Sequence, residues 1–167
     1  MAADEIALLK RQHRAEKLRG IYVIVNEDAR APDLARAVLD AGVKVVQYRA
    51  KGGVNLGHIQ LLRQFTLAHQ ALLIVNDDWR AALAYDCDGV HLGPDDEGFG
   101  DVATMRAALG DRLIGLSCGT LDEVRFANGE DVDYLGIGAV YATGSKADAG
   151  TPIGIDSLRA LAAQSWS

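Results

Sequence analysis

The feature that most constrains the fold is the alternation of short apolar runs with segments of helical spacing. Six runs of strand length are apolar almost throughout: GIYVIV (20–25), VKVVQY (43–48), ALLIVND (71–77), DGVHL (88–92), LIGLS (113–117) and YLGIGAV (134–140). Because their apolar residues are continuous and do not alternate with polar ones, they predict parallel strands buried on both faces. Strict strand–helix alternation predicts the α/β class.

Two architectures fit this alternation, an open doubly wound sheet and a TIM-type (β/α) barrel. A dinucleotide-binding sheet should carry GxGxxG after its first strand, and VNEDARAP (25–32) has no such glycines. In a barrel, the active site is built from the loops that follow the strands. Polar residues do gather after the strands of this sequence, so we predict the barrel.

Composition excludes several classes of function. The formal charge is −6 and the pI is about 5.1, whereas a nucleic-acid binder usually has a basic face. There is no apolar run near the length that crosses a bilayer, and the charged N-terminus lacks a signal-peptide core. The two cysteines, Cys87 and Cys118, have no CxxC spacing and are expected to be reduced. A cytoplasmic protein without nucleic-acid or membrane partners is therefore expected.

The barrel predicted from this sequence is incomplete at its C-terminus. We divide the chain into an N-terminal helical extension (1–19), which covers the bottom of the barrel or makes a subunit contact, and the barrel domain (20–167). A complete eight-stranded barrel typically needs about 250 residues, so the last strands are missing. A truncated chain, a partner that supplies the closure and a degenerate relative each remain open. Exposed strand edges favour association, and a homo-oligomer could cover them.

Two carboxylates follow neighbouring predicted strands. Asp77 and Asp96 would supply hard oxygen ligands of the kind that suits Mg²⁺, which takes one or two carboxylates together with water and substrate phosphate. The alternative is a structural role, in which Asp77 or Asp78 caps the helix beginning at Trp79 and Asp96 belongs to a turn. Asp78 is the better cap candidate, because it directly precedes the helical pattern.

Cationic and hydroxyl side chains also stand at strand ends. Arg49, Lys51 and Lys146 would bind phosphate oxygens, although single lysines are usually only solvated. Thr143 and Ser145 add hydroxyl donors in a glycine-containing loop. Together with the two carboxylates, these residues predict a site for a phosphorylated substrate and its metal.

Three further polar residues lie in or at the ends of predicted strands. Gln47 points inward if QYRAK (47–51) ends a strand, and its amide could then bind the edge of a heterocycle. His91 lies within a strand, where a histidine is more often a core group than a catalyst. Ser117 has no acid–base partner nearby in sequence and no GxSxG motif, which argues against a serine hydrolase.

With these residues assembled, the sequence resembles the thiamine phosphate synthase family. QYRAKG resembles the family's QxREKG, and IVNDD resembles its NDR stretch. DGVHLGPDD resembles DGVHLGQxD, and IGLSCG resembles IGxS. The segment YLGIGAVYATGSKADAGTPIG resembles the loop YxGxGPxxxTxTKxxAGxPxG. The motifs appear in the family's order over roughly residues 20 to 160, and the ordered set is highly specific.

The resemblance implies a phosphate-binding barrel that joins a hydroxymethylpyrimidine diphosphate to a thiazole phosphate, giving thiamine phosphate and diphosphate. It implies roles for individual residues: Gln47 and Asn76 at the pyrimidine substrate, Arg49 and Lys51 at its diphosphate, Asp77 and Asp96 on Mg²⁺, Ser117 and Lys146 as catalytic residues facing the diphosphate, and Thr143 and Ser145 at the thiazole phosphate. Two other hypotheses remain: a thiazole tautomerase-like relative, and a non-catalytic ligand-binding or regulatory remnant of the barrel.

Overall fold

The computed structural model describes residues 3–144 and 150–166, and these form one parallel sheet flanked by helices. The strands are β1 (Tyr22–Asn26), β2 (Val45–Arg49), β3 (Leu72–Asn76), β4 (Gly89–Leu92), β5 (Leu113–Cys118) and β6 (Tyr134–Ile137). The helices are α1 (Ala3–Ala15), α2 (Ala31–Asp40), α3 (Leu56–Ala68), α4 (Trp79–Ala84), α5 (Val102–Leu109), α6 (Leu121–Asn128) and α7 (Gly154–Ala162). The six strands are those that the sequence predicted.

Every strand pairs in parallel with the next one along the chain, in the order β1-β2-β3-β4-β5-β6. The sheet is strongly curled, as a contact between its two edge strands shows: the hydroxyls of Tyr22 on β1 and Tyr134 on β6 lie 2.9 Å apart. This is the arrangement of an incomplete (β/α) barrel, and the predicted fold class is confirmed. None of the helices among the described residues is both long and apolar enough to cross a membrane.

The two faces of the sheet bury different clusters. The larger cluster lies between the sheet and the helices and includes Val46, Tyr48 and Leu73. The smaller one fills the lower part of the concave face, where Val45, Leu72, Ile74 and Leu113 pack together against Ala15, Leu18 and Tyr22. Burial on both faces explains why the four inner strands read as continuous apolar runs. The edge strands β1 and β6, which the sequence also predicted to be buried on both faces, are only partly buried, because each has a neighbouring strand on one side alone.

Helix α1 covers the bottom of the curled sheet. Ala15 at its end and Leu18 just beyond it pack against the inner cluster. Arg11 and Arg14 form ion pairs with aspartates that precede strands: Arg11 Nε lies 2.6 Å from Asp133 Oδ1, and Arg14 Nη1 lies 3.0 Å from Asp111 Oδ2. Of the two roles left open for the N-terminal segment, these contacts support the cover over the bottom. The domain division at residue 19 itself stays a prediction.

Candidate functional site at the carboxyl ends of the strands

A cavity of about 610 Å³ opens at the carboxyl ends of the strands. The predicted site residues Arg49, Ser117 and Thr143 line it, although they come from three separate parts of the chain. The remaining lining residues are Ile24, Asn26, His91, Gly136, Ile137, Gly138 and Ala139. Parallel pairing places all the strand ends on one rim, which is why residues distant in sequence converge there.

A second, smaller cleft of about 390 Å³ adjoins the cavity. It contains Lys51 with Gly52 and Gly53, and it shares Asn26 and Arg49 with the larger cavity. Arg49 therefore lies between the two spaces, and its Nη1 donates to Asn26 Oδ1 over 3.4 Å. The smaller cleft is lined by two cations, Arg49 and Lys51, and by the one carboxylate of Glu27, so an anion can bind on the side of the two cations.

Asp77 and Asp96 are neighbours at this rim. Their carboxyl groups lie within hydrogen-bonding reach of each other, and Lys51 Nζ lies 3.1 Å from Asp77 Oδ2. The pKa of Asp96 is raised, first by burial and then by the hydrogen bond and negative charge of Asp77, while Lys51 acts in the opposite direction. Two carboxyl groups in such proximity favour a shared proton or a bound cation.

The backbone holds both acids in place. Asp77 has a positive φ of 66°, and its N–H donates to the carbonyl of His91 over 2.9 Å, which ties the end of β3 to β4. Asp96 Oδ2 accepts from the N–H of Gly93 over 2.6 Å. The turn role considered for Asp96 is therefore present, and it coexists with the approach to Asp77.

The adjacent Asp78 has a different role. Its Oδ1 accepts from the N–H of Ala81 over 2.8 Å, which makes it the N-cap of α4. The structure thus separates two consecutive aspartates, because Asp78 satisfies the helix end and Asp77 projects toward Lys51 and Asp96. The preference for Asp78 as the cap is confirmed.

Asp77 and Asp96, called the acid pair below, have the chemistry of a small site for a hard cation. Within residues 3–144 and 150–166, no group of three or more His, Cys, Asp or Glu side chains is arranged to hold a metal. A binding pocket made of protein ligands alone is therefore not found in this part of the chain. Two carboxylates beside an anion-binding cleft fit Mg²⁺, which binds through one or two carboxylates plus substrate phosphates and water.

A chain of hydrogen bonds crosses the concave face below the cavity. Gln47 Nε2 donates to the hydroxyl of Tyr22 over 2.9 Å, and the hydroxyls of Tyr22 and Tyr134 lie 2.9 Å apart. The Tyr134 hydroxyl lies 3.2 Å from His91 Nδ1, and His91 Nε2 lies 2.9 Å from Ser117 Oγ. This series of hydrogen bonds links the buried amide of Gln47 to the hydroxyl of Ser117 on the cavity wall.

The other predicted site residues have varied positions. Gln47 points inward as expected, but it is 2% exposed and lies within the sheet below the residues that line the cavity. Asn76 ends β3 and is paired in register with His91. Ser145 and Lys146 lie outside the described residues, so their predicted roles rest on the sequence alone.

Two cavity residues carried no role in the sequence-based prediction. Asn26 is the last residue of β1, and its position at a strand end was an available signal. His91 was interpreted as a core group, yet it lines the cavity and contacts Ser117. Its partner Tyr134 follows 43 positions later, and local sequence gives no sign of that contact.

The fold and the site together define a barrel-type α/β protein with an acidic pair and basic side chains at the carboxyl ends of its strands. A family model described as thiamine monophosphate synthase matches residues 21–165. The chain belongs to this family, and the resemblance seen in the sequence is confirmed.

Individual relatives agree with this assignment. The chain is 41% identical over 137 residues to a thiamine-phosphate synthase of Moorella thermoacetica, covering 78% of this chain and 63% of that protein. It is 43% identical over 143 residues to a bifunctional ThiM/ThiE thiamine biosynthesis protein of Symbiobacterium thermophilum, covering 83% and 29% respectively. The chain therefore spans less than two thirds of the length of these relatives.

A solved structure shows the same fold. The thiamine phosphate pyrophosphorylase of Pyrococcus furiosus superposes with a TM-score of 0.71 at 32% identity, covering 88% of this chain and 70% of that one.

Proposed function

We propose that the protein acts as a thiamine phosphate synthase, joining a hydroxymethylpyrimidine diphosphate to a thiazole phosphate. The observation that carries this proposal is the placement of Asp77, Asp96 and Lys51 beside one another, next to the cleft that Arg49 shares with the cavity. Family membership and the names of the relatives support the same reaction.

The reaction suits a site with many charges and few nucleophiles. The bond between the pyrimidine methylene carbon and the diphosphate oxygen breaks, and the electron pair leaves with the diphosphate. The thiazole nitrogen then forms a bond to that carbon, and no proton is transferred at the new bond. The residues therefore need to stabilise a departing anion, which is a matter of placed cations and hydrogen-bond donors.

Residue roles follow from this demand. Arg49 and Lys51 would bind diphosphate oxygens, and Asp77 and Asp96 would hold Mg²⁺. When bound, Mg²⁺ supplies further neutralisation of the leaving group. Ser117 and Lys146 would donate to the same anion as catalytic residues, Thr143 and Ser145 would bind the thiazole phosphate, and Gln47 and Asn76 would hold the pyrimidine.

The acid pair also favours this function over a thiazole tautomerase-like activity. Moving a proton on the thiazole phosphate requires no diphosphate leaving group, so such an enzyme would have no use for Asp77 and Asp96 beside Lys51. The proposed ligands are small molecules. Cytoplasmic location and a homo-oligomer that covers the sheet edges stay predictions.

The test supplies both substrates and Mg²⁺ to the folded chain and measures thiamine phosphate formation and diphosphate release. We expect stoichiometric release that depends on Mg²⁺. A parallel titration measures binding of the pyrimidine diphosphate. Mg²⁺-dependent binding without release would support the non-catalytic hypothesis and contradict the synthase. A failure to bind at all would contradict both.

A further inference from the structure

The hydrogen-bond chain below the cavity has a direction that its first member determines. The amide nitrogen of Gln47 can only donate, so the Tyr22 hydroxyl accepts from it. The Tyr134 hydroxyl is the other hydrogen-bond partner of Tyr22 among the described residues, and it is therefore the acceptor for the hydrogen of the buried Tyr22 hydroxyl. The Tyr134 hydroxyl, having accepted, can then donate to His91 Nδ1. An imidazole that accepts at Nδ1 carries its proton on Nε2, which faces Ser117 Oγ.

We propose that Tyr134 is a positioning residue: acting through His91, it fixes the Nε2–H tautomer and turns the hydroxyl hydrogen of Ser117 into the cavity as a donor to an anionic ligand. The identity of that ligand as a diphosphate rests on the proposed function. Ser117 is then a hydrogen-bond donor, and His91 is not a base that activates it. This agrees with a reaction that requires no nucleophilic serine.

The neighbouring strands leave room for these rings. A Cβ atom at Gly115 would overlap the ring of Tyr134, and one at Gly136 would approach His91 Cε1 to 3.0 Å. The ring centroids of His91 and Tyr134 are 5.4 Å apart and inclined by 30°. Glycine at both positions therefore allows the tyrosine and the histidine to lie against the sheet within hydrogen-bonding distance.

Burial keeps the tyrosines as neutral hydroxyls. Burial raises the pKa of Tyr22 to about 12 and raises the pKa of Tyr134 well above its usual range, with the adjacent Tyr22 adding to the effect. Both groups therefore retain their hydrogens at neutral pH. Each tyrosine therefore has one hydrogen to donate along this series of hydrogen bonds.

The direct test is nitrogen-15 NMR of the histidine ring in the full chain at pH 8, with the His91 signals assigned from a His91→Gln variant. We expect Nε2 to be protonated and Nδ1 to be unprotonated. Tyr134→Phe should shift His91 toward a mixture of tautomers. Tyr85→Phe, which removes a hydroxyl on α4's side of the sheet, should leave His91 unchanged.

Three results would overturn the inference: a proton on Nδ1 in the unmodified chain, an imidazolium at pH 8, or a His91 spectrum that Tyr134→Phe does not alter. Thermal melting followed by circular dichroism establishes that each variant is folded. If Tyr134→Phe does not fold, Tyr22→Phe interrupts the same chain one hydroxyl earlier and has the same expected result.

A binding measurement extends the test to Ser117. With Mg²⁺ present, Tyr134→Phe should weaken the binding of inorganic diphosphate by about two- to tenfold, as expected when one hydrogen bond is misdirected. Unchanged affinity would contradict the role of Tyr134 toward Ser117. If the unmodified chain shows the expected tautomer but binds no diphosphate, the tautomer assignment is supported and the proposed function fails.

Discussion

The two ends of the sheet use charged residues in opposite ways. At the amino ends of the strands, Asp133 contacts Arg11 at 2.6 Å and Arg106 at 2.7 Å, and it also accepts from the N–H of Ile114. At the carboxyl ends, Asp77 and Asp96 face each other. The first end is neutralised within the protein, whereas at the second end two carboxyl groups lie together with Lys51 as a partner of Asp77.

This difference separates a stabilising region from the proposed binding region. Asp88 repeats the pattern of Asp133 at the amino end, where it pairs with Arg63 at 2.7 Å and accepts from the N–H of Leu73. A carboxylate with such partners is stable without a ligand. At the other end, Asp77 raises the pKa of Asp96, and we expect a bound cation to relieve this repulsion. In a barrel, the stabilising end and the functional end are expected to be separate in this way.

The largest expected effect comes from disrupting the neutralised end. Asp133→Ala removes an acceptor that Arg11, Arg106 and the N–H of Ile114 share, and the Asp133 side chain is only 5% exposed. We expect the free energy of unfolding to fall by about 3–5 kcal/mol, the usual cost of breaking a buried ion pair. Urea denaturation of the variant and the unmodified chain would measure this fall in the free energy of unfolding.

The matched control for that variant is Asp131→Ala, which removes an aspartate that also contacts Arg11 but whose side chain is 57% exposed. It should cost at most about 1 kcal/mol. The comparison between the two ends breaks down if Asp133→Ala costs no more than its control. It also breaks down if the folded Asp133 variant loses affinity for diphosphate.

A smaller effect of opposite sign is expected at the acid pair. The raised pKa of Asp96 means that the folded state loses stability as the pH rises through that pKa, because the folded chain then binds more protons than the unfolded chain. Asp96→Asn should therefore raise the melting temperature by about a few degrees in EDTA at neutral pH, and much less in acid.

The control is Asp95→Asn, which removes one negative charge from the exposed neighbouring position. It should change the melting temperature little at either pH. Addition of Mg²⁺ should stabilise the Asp95 variant but not the Asp96 variant. A destabilised Asp96→Asn variant in EDTA would show that Asp96 serves the turn alone.

The sequence predicted the fold well because the four inner strands, β2 to β5, are buried on both faces. An apolar run such as ALLIVND can be recognised without information from distant residues, and the polar residues at or after the end of each strand must then lie on the common rim. Arg49, Ser117 and Thr143 were predicted in this way, and the structure brings them into one cavity. Asp78 was equally accessible, because a helix cap is a local signal.

Contacts across the curled sheet could not be predicted. Arg11 and Asp133 are 122 positions apart, and Tyr22 and Tyr134 are 112 positions apart. Their meeting depends on how tightly six strands curl, which no local pattern encodes. For the same reason His91 was interpreted as a core group, since its contacts with Tyr134 and Ser117 exist only after β4, β5 and β6 have paired.

The most direct test of the central claim uses the two adjacent aspartates. Calorimetry would measure diphosphate binding with and without Mg²⁺ for the unmodified chain, Asp77→Asn and Asp78→Asn. We predict Mg²⁺-dependent binding that Asp77→Asn weakens by at least about tenfold, the lower range for disturbing a metal site. Asp78→Asn should bind as the unmodified chain does, because asparagine also caps helices. Equal losses in both variants, or binding that is indifferent to Mg²⁺, would contradict the claim that Asp77 and Asp96 form a magnesium–diphosphate site.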